Sequence, residues 1–252
     1  MALLTMGESS PKLIKSDQSG IADPDSGRRY LSAIQYLAPE KTSGNQVCPF
    51  ATDGCKASCL FTAGRGATNS VQTARVNRTR SFFDDRPEYW ETLDCELQKF
   101  QNRANRNGFK PAVRLNGTSD LPFERLRGSL FDRFSDFQFY DYTKDKKRML
   151  RFLSGDFPAN YHLTFSRSEK NENGCREILR NGGTVAVVYR DKQWPTHWRG
   201  FPTIDGDQHD LTFVHPAGHV LALYAKGRAK RDDTGFVVDP EPWSLRLPII
   251  GY

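Results

Sequence analysis

The stretch from Gln138 to Phe165 decides the fold and reads Gln-Phe-Tyr-Asp-Tyr-Thr-Lys-Asp-Lys-Lys-Arg-Met-Leu-Arg-Phe-Leu-Ser-Gly-Asp-Phe-Pro-Ala-Asn-Tyr-His-Leu-Thr-Phe. Its two ends, Gln138–Tyr142 and His162–Phe165, are short and rich in aromatic and apolar residues, which is typical of buried strands. Between them, Lys144–Leu153 has the length and polarity of a surface helix. A strand, a helix and a second strand in this order predict two parallel strands joined by a helical crossover.

The same alternation continues on both sides of this stretch. The other predicted strands are the run beginning at Tyr30, Ala112–Leu115, Thr184–Tyr189 and Val220–Tyr224. The other predicted helices lie near Pro122–Arg133 and Asn173–Arg180, and between Ser70 and Arg106, where Tyr89, Leu93, Leu97, Phe100 and Ala104 form one apolar stripe. Strands that alternate with helices predict an α/β fold whose parallel sheet is open or closed.

Composition and charge narrow the class of protein. The chain has 252 residues, and its 17 Phe, 9 Tyr and 4 Trp supply enough apolar area for a core. Residues 1–28 are polar and predict a flexible arm, which leaves 29–252 as one domain. No apolar run is long enough to span a bilayer, and the first residues lack a signal peptide, so we expect a cytoplasmic protein with no membrane contact. A net charge of +6 favours an anionic partner.

Three cysteines form the sharpest motif of the sequence. Cys48, Cys55 and Cys59 follow the spacing C-x6-C-x3-C directly after the first predicted strand. Clustered thiolates hold iron–sulfur clusters, and three ligands would leave one coordination position open for chemistry. Zinc also binds thiolates but needs a fourth ligand in a structural site, which Cys175 or a histidine would supply. The residues leave iron–sulfur, zinc and unligated thiols open.

Polar residues follow nearly every predicted strand, and parallel α/β folds bind ligands at that carboxyl edge. The strand ends carry Asn116, Gly117, Ser119, Asp120, Asp141, Ser166, Arg167 and Glu169. Arg75 and Arg78, which share one face of the helix after the cysteines, are candidates for binding a phosphate or a carboxylate. These patterns predict one shared site at the strand ends.

The chain resembles a known family at several of these motifs. Cys48-Pro-Phe-Ala-x-x-Gly-Cys55-x-x-x-Cys59-Leu-x-Thr-Ala-Gly-Arg-Gly and Arg114-Leu-Asn-Gly-Thr-Ser-Asp120 resemble the phage gene product 88 proteins. The resemblance extends over Tyr140–Lys144, His162–Glu169, Ile204–Asp207 and Ala225–Gly227, and covers about residues 30–237. Membership would imply a phage-encoded protein in the cytoplasm of the host cell. The biochemical role of the family is unassigned.

The order of parts is also similar to radical S-adenosylmethionine enzymes. In that superfamily a three-cysteine loop follows the first strand of a partial (βα)6 TIM-like barrel and holds a [4Fe-4S] cluster. The resemblance implies that S-adenosylmethionine would bind near the Asn116–Asp120 segment. The usual spacing is C-x3-C-x2-C, and no Gly-Gly-Glu follows the second strand here.

These observations lead to one main hypothesis and two alternatives. The main hypothesis is an iron–sulfur enzyme with Cys48, Cys55 and Cys59 as metal ligands, acting on a nucleotide or nucleic acid. Its candidate catalytic carboxylates are Asp120, Asp141 and Glu169, and its candidate cofactor-binding residues are Asn116, Gly117, Ser119, Arg75, Arg78, Ser166 and Arg167.

The first alternative is a base-exchange enzyme similar to transfer-RNA guanine transglycosylases, with zinc in a structural role and Asp120 and Asp141 as nucleophile and acid/base. The second is a metal-stapled, non-catalytic protein that binds nucleic acid or a host factor. In that case the basic run Lys226–Arg231 would contact phosphates, and Trp194 and Trp198 would stack on bases.

Overall fold

A nine-stranded mixed sheet forms the centre of the protein in the computed structural model, which describes residues 1–7 and 11–239. The strands are β1 (Leu4–Met6), β2 (Tyr30–Gln35), β3 (Lys110–Arg114), β4 (Gln138–Thr143), β5 (Tyr161–Ser166), β6 (Val185–Tyr189), β7 (His197–Trp198), β8 (Phe201–Asp205) and β9 (Val220–Tyr224). The helices are α1 (Pro11–Asp17), α2 (Asp53–Ala57), α3 (Asn69–Asp84), α4 (Arg86–Arg106), α5 (Phe123–Leu126), α6 (Ser129–Arg133), α7 (Lys146–Leu153) and α8 (Glu172–Arg180). Short 3-10 turns lie at 60–62, 64–67, 212–214 and 227–231.

The strands lie side by side in the order β1-β2-β3-β4-β5-β6-β9-β8-β7. Along this spatial order, every neighbouring pair between β2 and β8 is parallel. The two end strands, β1 and β7, pair antiparallel with β2 and β8. From β2 to β6 the order in space equals the order in the chain, and helices connect the successive strands. The parallel strands therefore all present their carboxyl ends at one edge.

The two faces of the sheet have different neighbours. On one face, side chains such as Val113 and Leu163 belong to the main core, together with Leu93 of α4 and Ile178 of α8. On the other face, Tyr30, Ala112 and Tyr140 pack against Leu211 and Phe213 in a smaller cluster. Because the large helices pack on the first face, the second is left for Leu211, Phe213 and the cavity described below.

The predicted α/β class is confirmed, and so is each of the six predicted parallel strands, with ends that shift by at most two residues. The predicted stripe of α4 is buried throughout. The single helix predicted near Pro122–Arg133 is instead the two short helices α5 and α6, because Arg127 has an extended φ of −158° between them. The short strands β7 and β8 were not predicted.

The predicted arm over residues 1–28 contains ordered elements. Leu3, Leu4 and Leu13 are buried, and β1 pairs with β2. The Glu96 carboxylate of α4 accepts hydrogen bonds from the backbone N–H groups of Leu3 and Leu4 at 2.8 Å. Because the arm is mostly polar, its few leucines formed no apolar pattern that predicts a strand or a helix. Of the predicted domain 29–252, residues 240–252 lie outside the described residues.

A search of the described helices for one both long and apolar enough to cross a bilayer found none.

Candidate functional site

A cavity of about 190 Å³ lies at the carboxyl edge of the parallel strands. Arg114 comes to it from β3, Tyr142 from β4, Ser166 from β5 and Val188 from β6, and Tyr224 comes from β9. Its wall also includes Cys48, Cys55, Cys59, Asn116, Gly117, Thr118, Ser119, Asp120, Lys144, Asp207, Lys226 and Phe236. The predicted shared site at the strand ends therefore corresponds to a cavity that successive strands line.

The cysteine loop folds around α2. Thr52 caps this helix, and its hydroxyl accepts a hydrogen bond from the backbone N–H of Cys55 at 3.3 Å. Gly54 is buried at a position where a Cβ would lie 2.8 Å from the Cβ of Phe236. Glycine thus allows the loop to pack closely against the segment that contains Phe236, and this packing holds Cys55 at the cavity.

The three thiols share one environment. Cys48, Cys55 and Cys59 all line the cavity, and the charge of Cys55 acts on both Cys48 and Cys59. Burial raises the pKa of the Cys48 thiol to about 12 and also raises that of Cys59. A nucleophilic cysteine needs a lowered pKa. The environment of Cys48 and Cys59 therefore does not favour covalent catalysis by a free thiolate, and ligation of a positively charged centre is the alternative that stabilises their thiolate forms.

Two cations lie beside the thiols. The Lys144 ammonium donates a hydrogen bond to the Ser166 hydroxyl at 2.9 Å. Burial would lower the Lys144 pKa, but neighbouring Cys55 and Asp120 hold it above its ordinary value. Arg75 is 6% exposed, and its charge acts on Cys59. Lys144 and Arg75 both lower the pKa of the Cys59 thiol, but the effect of burial outweighs them.

The guanidinium of Arg75 has an unusual setting. It lies 4.6 Å from the ring centroid of Tyr36 and 5.5 Å from that of Phe61. Its Nε and Nη1 have no hydrogen-bond partner within the described part of the chain. A buried cation without an acceptor is costly, and the two aromatic faces offset only part of that cost. Arg75 is therefore suited to pair with an anion next to Cys59.

No set of three His, Cys, Asp or Glu side chains within residues 1–7 and 11–239 is placed to hold a single metal ion. A tetrahedral zinc site would bring its sulfur ligands to within about 3.8 Å of each other. Cys48, Cys55 and Cys59 line one cavity but do not form a group that could hold a metal ion within the described residues. Each thiolate of an iron–sulfur cluster binds a different iron, so a cluster needs a wider spacing.

The segment after β3 forms a second wall of the cavity. Asn116, Gly117 and Ser119, which were predicted to bind a cofactor, all line it. A Cβ on Gly117 would lie 2.6 Å from the Gln35 carbonyl oxygen, so only glycine lets the segment cross β2 at this distance. The Cys48 thiol lies 3.5 Å from the Thr118 carbonyl oxygen. This wall and the cysteine loop are thus in direct contact.

Asp141 supports this wall through hydrogen bonds but does not itself line the cavity. Its carboxylate accepts hydrogen bonds from the Asn116 backbone N–H at 2.7 Å and from the Tyr161 hydroxyl at 2.7 Å. Burial raises the pKa of Asp141 to about 6, against the opposing effect of the Tyr161 hydrogen bond. These contacts make Asp141 a residue that positions Asn116 rather than one that meets a ligand.

Asp120 lines the cavity but is already paired. Its carboxylate bonds to the Arg148 guanidinium at 3.1 Å and to the Lys144 backbone N–H at 2.8 Å. Burial raises its pKa, while Arg148 and Lys144 oppose that rise. Arg148 also binds Glu124 at 2.9 Å and the Tyr161 hydroxyl at 2.7 Å. Asp120 is thus the cavity end of a buried polar network.

Glu169 and Arg167 anchor two segments at the rim. The Glu169 carboxylate accepts hydrogen bonds from the Thr52 hydroxyl at 2.8 Å and from the Gly54 N–H at 3.1 Å. Arg167 donates to the backbone carbonyls of Gly235 and Phe236. Neither side chain lines the cavity, although Ser166, predicted with them, does. Their contacts fix the cysteine loop and the chain that closes over it.

The remaining candidates lie away from the cavity. Arg78 donates to the Ala2 carbonyl oxygen at 2.7 Å, next to β1. Cys95 is exposed on α4, and Cys175 is buried in the main core, so neither reaches the thiol cluster as a fourth ligand. Trp198 is 5% exposed and packs into the core, which does not fit a stacking surface. Trp194 also packs against that core.

Several residues of the cavity were not predicted, and Lys144 is the most important of them for the charge of the site. It follows β4 within the quoted motif Tyr140–Lys144, so its place at a strand end was a usable signal. Tyr142 was equally available, since it alternates with Asp141 and must face the opposite side. Phe236 carried no signal, because it reaches the cavity from a distant loop without regular structure.

Comparison with models of protein families matches residues 3–240 to the family described as gene product 88. No curated protein and no solved structure matches the chain.

Proposed function

We propose that this chain, which belongs to the gene product 88 family, is an iron–sulfur enzyme that binds its centre through Cys48, Cys55 and Cys59. The observation that carries the proposal is that these thiols line one cavity together with residues from the ends of successive parallel strands. Ligands of parallel α/β folds bind at this edge. We further propose that the sheet curves around the cavity as a partial barrel.

The environment of the thiols supports a multinuclear centre. Three thiolates bring three negative charges, and Lys144 and Arg75 lie where they oppose those of Cys55 and Cys59. Among the described residues, no group of three His, Cys, Asp or Glu side chains forms a site for a metal ion. A cluster with three protein ligands keeps one iron open to a further ligand. By similarity to the three-cysteine loop of radical S-adenosylmethionine enzymes, we favour a [4Fe-4S] cluster over zinc.

The other wall of the cavity supports a small cosubstrate. Asn116, Gly117 and Ser119 present amide, backbone and hydroxyl groups within the same cavity as the thiols. By similarity to radical S-adenosylmethionine enzymes, the bound cluster would supply an electron for reductive cleavage of that cosubstrate. The chain itself would hold the cosubstrate's polar end with this wall, and Phe236 and Leu223 would limit the access of water.

The substrate that fits best is anionic. Three cations, Arg114, Lys144 and Lys226, line the cavity against two carboxylates, Asp120 and Asp207, and the protein carries a net charge of +6. The transglycosylase alternative fits less well, since Asp141 faces the core and Asp120 is bound to Arg148. A nucleotide or a nucleic acid satisfies the charge of the cavity and its mixed polar and apolar walls.

Metal analysis of protein purified without oxygen tests the proposal. We expect about four irons and four sulfides per chain, with broad absorbance at about 400 nm. Replacing Cys48, Cys55 and Cys59 by serine should abolish both, whereas Cys95→Ser should leave both unchanged because Cys95 is exposed on a distant helix. One zinc per chain that the triple variant loses would overturn the cluster in favour of a zinc site.

A second measurement tests the cosubstrate. Reduced protein with its cluster should cleave S-adenosylmethionine, and Ser119→Ala should weaken its binding while the iron content stays constant. Iron-loaded protein that neither binds nor cleaves S-adenosylmethionine would refute the radical reaction and leave the cluster site in place.

A further inference from the structure

A basic segment forms part of the rim of the cavity. Lys226, Arg228, Lys230 and Arg231 are all exposed, and the last three belong to the 3-10 turn at 227–231. At a rise of about 2 Å per residue the turn extends over about 10 Å. The segment therefore offers a short row of cations rather than a single charge.

This basic segment is fixed directly behind the cysteine loop. Ala229, in its middle, lines the cavity and packs in one cluster with Cys55 and Phe236. A Cβ on Gly227 would lie 2.9 Å from the Cβ of Ala63, so the turn touches the chain that follows Cys59. A ligand bound along the basic segment would pass the mouth of the cavity.

Most cations of the basic segment form no direct ion pair within the described residues. Lys226 pairs with Asp207 at 2.6 Å. Within the described residues, Arg228, Lys230 and Arg231 have no carboxylate within 4.0 Å. The ammonium groups of Lys230 and Lys192 lie 5.2 Å and 6.0 Å from the ring centroid of Tyr224, itself a cavity residue. Two cations that approach one aromatic ring attract an anion to the same place.

We infer that the basic segment, with Lys192 and Tyr224, binds the phosphate backbone of single-stranded nucleic acid and leads it across the cavity. The inference rests on the proposed function only for what happens inside the cavity, not for binding at the rim. A row of cations suits successive phosphates. Tyr224 offers an aromatic ring against which a base stacks, and the exposed side chain of Leu60 offers an apolar contact.

A single strand fits better than a duplex or a membrane. Chemistry on a base or sugar inside this cavity requires a nucleotide that is not held in a duplex. A lipid surface would need an amphipathic helix with an apolar face toward the bilayer, whereas the basic segment is a short turn whose apolar residue, Ala229, faces the protein interior. Free nucleotides would use only part of the row.

Fluorescence anisotropy with a labelled single-stranded DNA of about 15 nucleotides tests the inference. We expect the logarithm of the association constant to fall by about 0.7 per phosphate contact for each tenfold rise in salt concentration. The variant Arg228→Ser/Lys230→Ser/Arg231→Ser should bind about tenfold more weakly, with a salt slope smaller by about 2, because three contacts are lost. The three residues are exposed, so circular dichroism should show an unchanged fold.

The matched control removes the same charge elsewhere. Lys99→Ser/Arg106→Ser/Arg180→Ser changes three exposed cations on α4 and α8 and should leave affinity within about twofold of the parent. Equal weakening of both variants would mean attraction by net charge alone and would overturn the inference. So would equal or tighter binding of a duplex, of a nucleoside triphosphate or of anionic phospholipid vesicles, or no binding of the single strand.

One further protein separates this inference from the proposed function. The Cys48→Ser/Cys55→Ser/Cys59→Ser variant lacks any cluster, and we expect it to bind the strand as the parent does. Loss of binding in this variant would refute an independent rim site, whereas retained binding together with an iron-free parent would refute only the cluster.

Discussion

Arg148 offers the most direct test of how the cavity is supported. Its guanidinium is 3% exposed and binds Asp120, Glu124 and Tyr161. Replacing Arg148 by methionine keeps the apolar stem but leaves two carboxylates without their cation. Breaking a buried ion pair on one side costs about 3–5 kcal/mol. For a chain of this size we therefore expect the melting temperature to fall by about 6–20 °C.

The assay is urea unfolding followed by fluorescence, at about pH 7.5 and about pH 4.5. Burial already raises the pKa of Asp120, and Arg148 opposes that rise, so its removal moves the pKa further up. The folded state of the variant then takes up a proton at Asp120 that the unfolded state takes up only at lower pH. Its deficit in the free energy of unfolding should therefore be largest at neutral pH and shrink on acidification.

Arg151→Met is the matched control, three residues along the same helix. Arg151 pairs with Asp156, whose side chain is 66% exposed, and exposed pairs contribute little to stability. We expect almost no change. If Arg148→Met is no less stable than this control, or if its deficit is the same at both pH values, the reasoning about the buried network is wrong.

Two further variants test neighbouring parts of the site. Because the pKa of Asp141 is raised to about 6, the contribution of this group to the free energy of unfolding should fall as pH rises from about 4 to about 6, so the parent should lose stability relative to Asp141→Asn over this range; parallel pH profiles for the two proteins would contradict the assignment. Gly54→Ala should displace Cys55 and lower the iron content, since its Cβ meets Phe236 and Glu169 at 2.8 Å, whereas Gly174→Ala, with its nearest contact at 3.4 Å, should retain iron; equal iron in both would count against the close packing of the loop.

Much of the sheet could be predicted because its strands carry local signals. Val220–Tyr224 and Gln138–Tyr142 are short apolar runs between turn residues, and such runs form strands wherever the sheet places them. The cavity was predictable to the same extent, since Asn116 and Ser166 follow strands directly. The two glycines at 54 and 117 were part of quoted motifs, although only the packing reveals why they are needed.

Other features depend on contacts that no local pattern encodes. Strand alternation predicts that Asp141 and Tyr142 face opposite sides of the sheet, but it does not tell which side each one faces. Asp141 faces the helices, where it bonds to Tyr161 of the next strand. Glu169 looks like a catalytic carboxylate in sequence, and only the distant Thr52 and Gly54 reveal its bond to the cysteine loop. Likewise, Leu3 and Leu4 are ordered by Glu96, more than ninety residues away.

The closing contacts of the cysteine loop have a consequence for synthesis on the ribosome. Ser58 binds the Asp232 carboxylate across 174 residues of chain, and Gly54 packs against Phe236. Both partners emerge from the exit tunnel long after the cysteine loop has done so. While the intervening residues are being synthesised, the nascent polypeptide therefore leaves Cys55 uncovered by this segment, and the inorganic centre proposed above would have to be delivered before the segment docks.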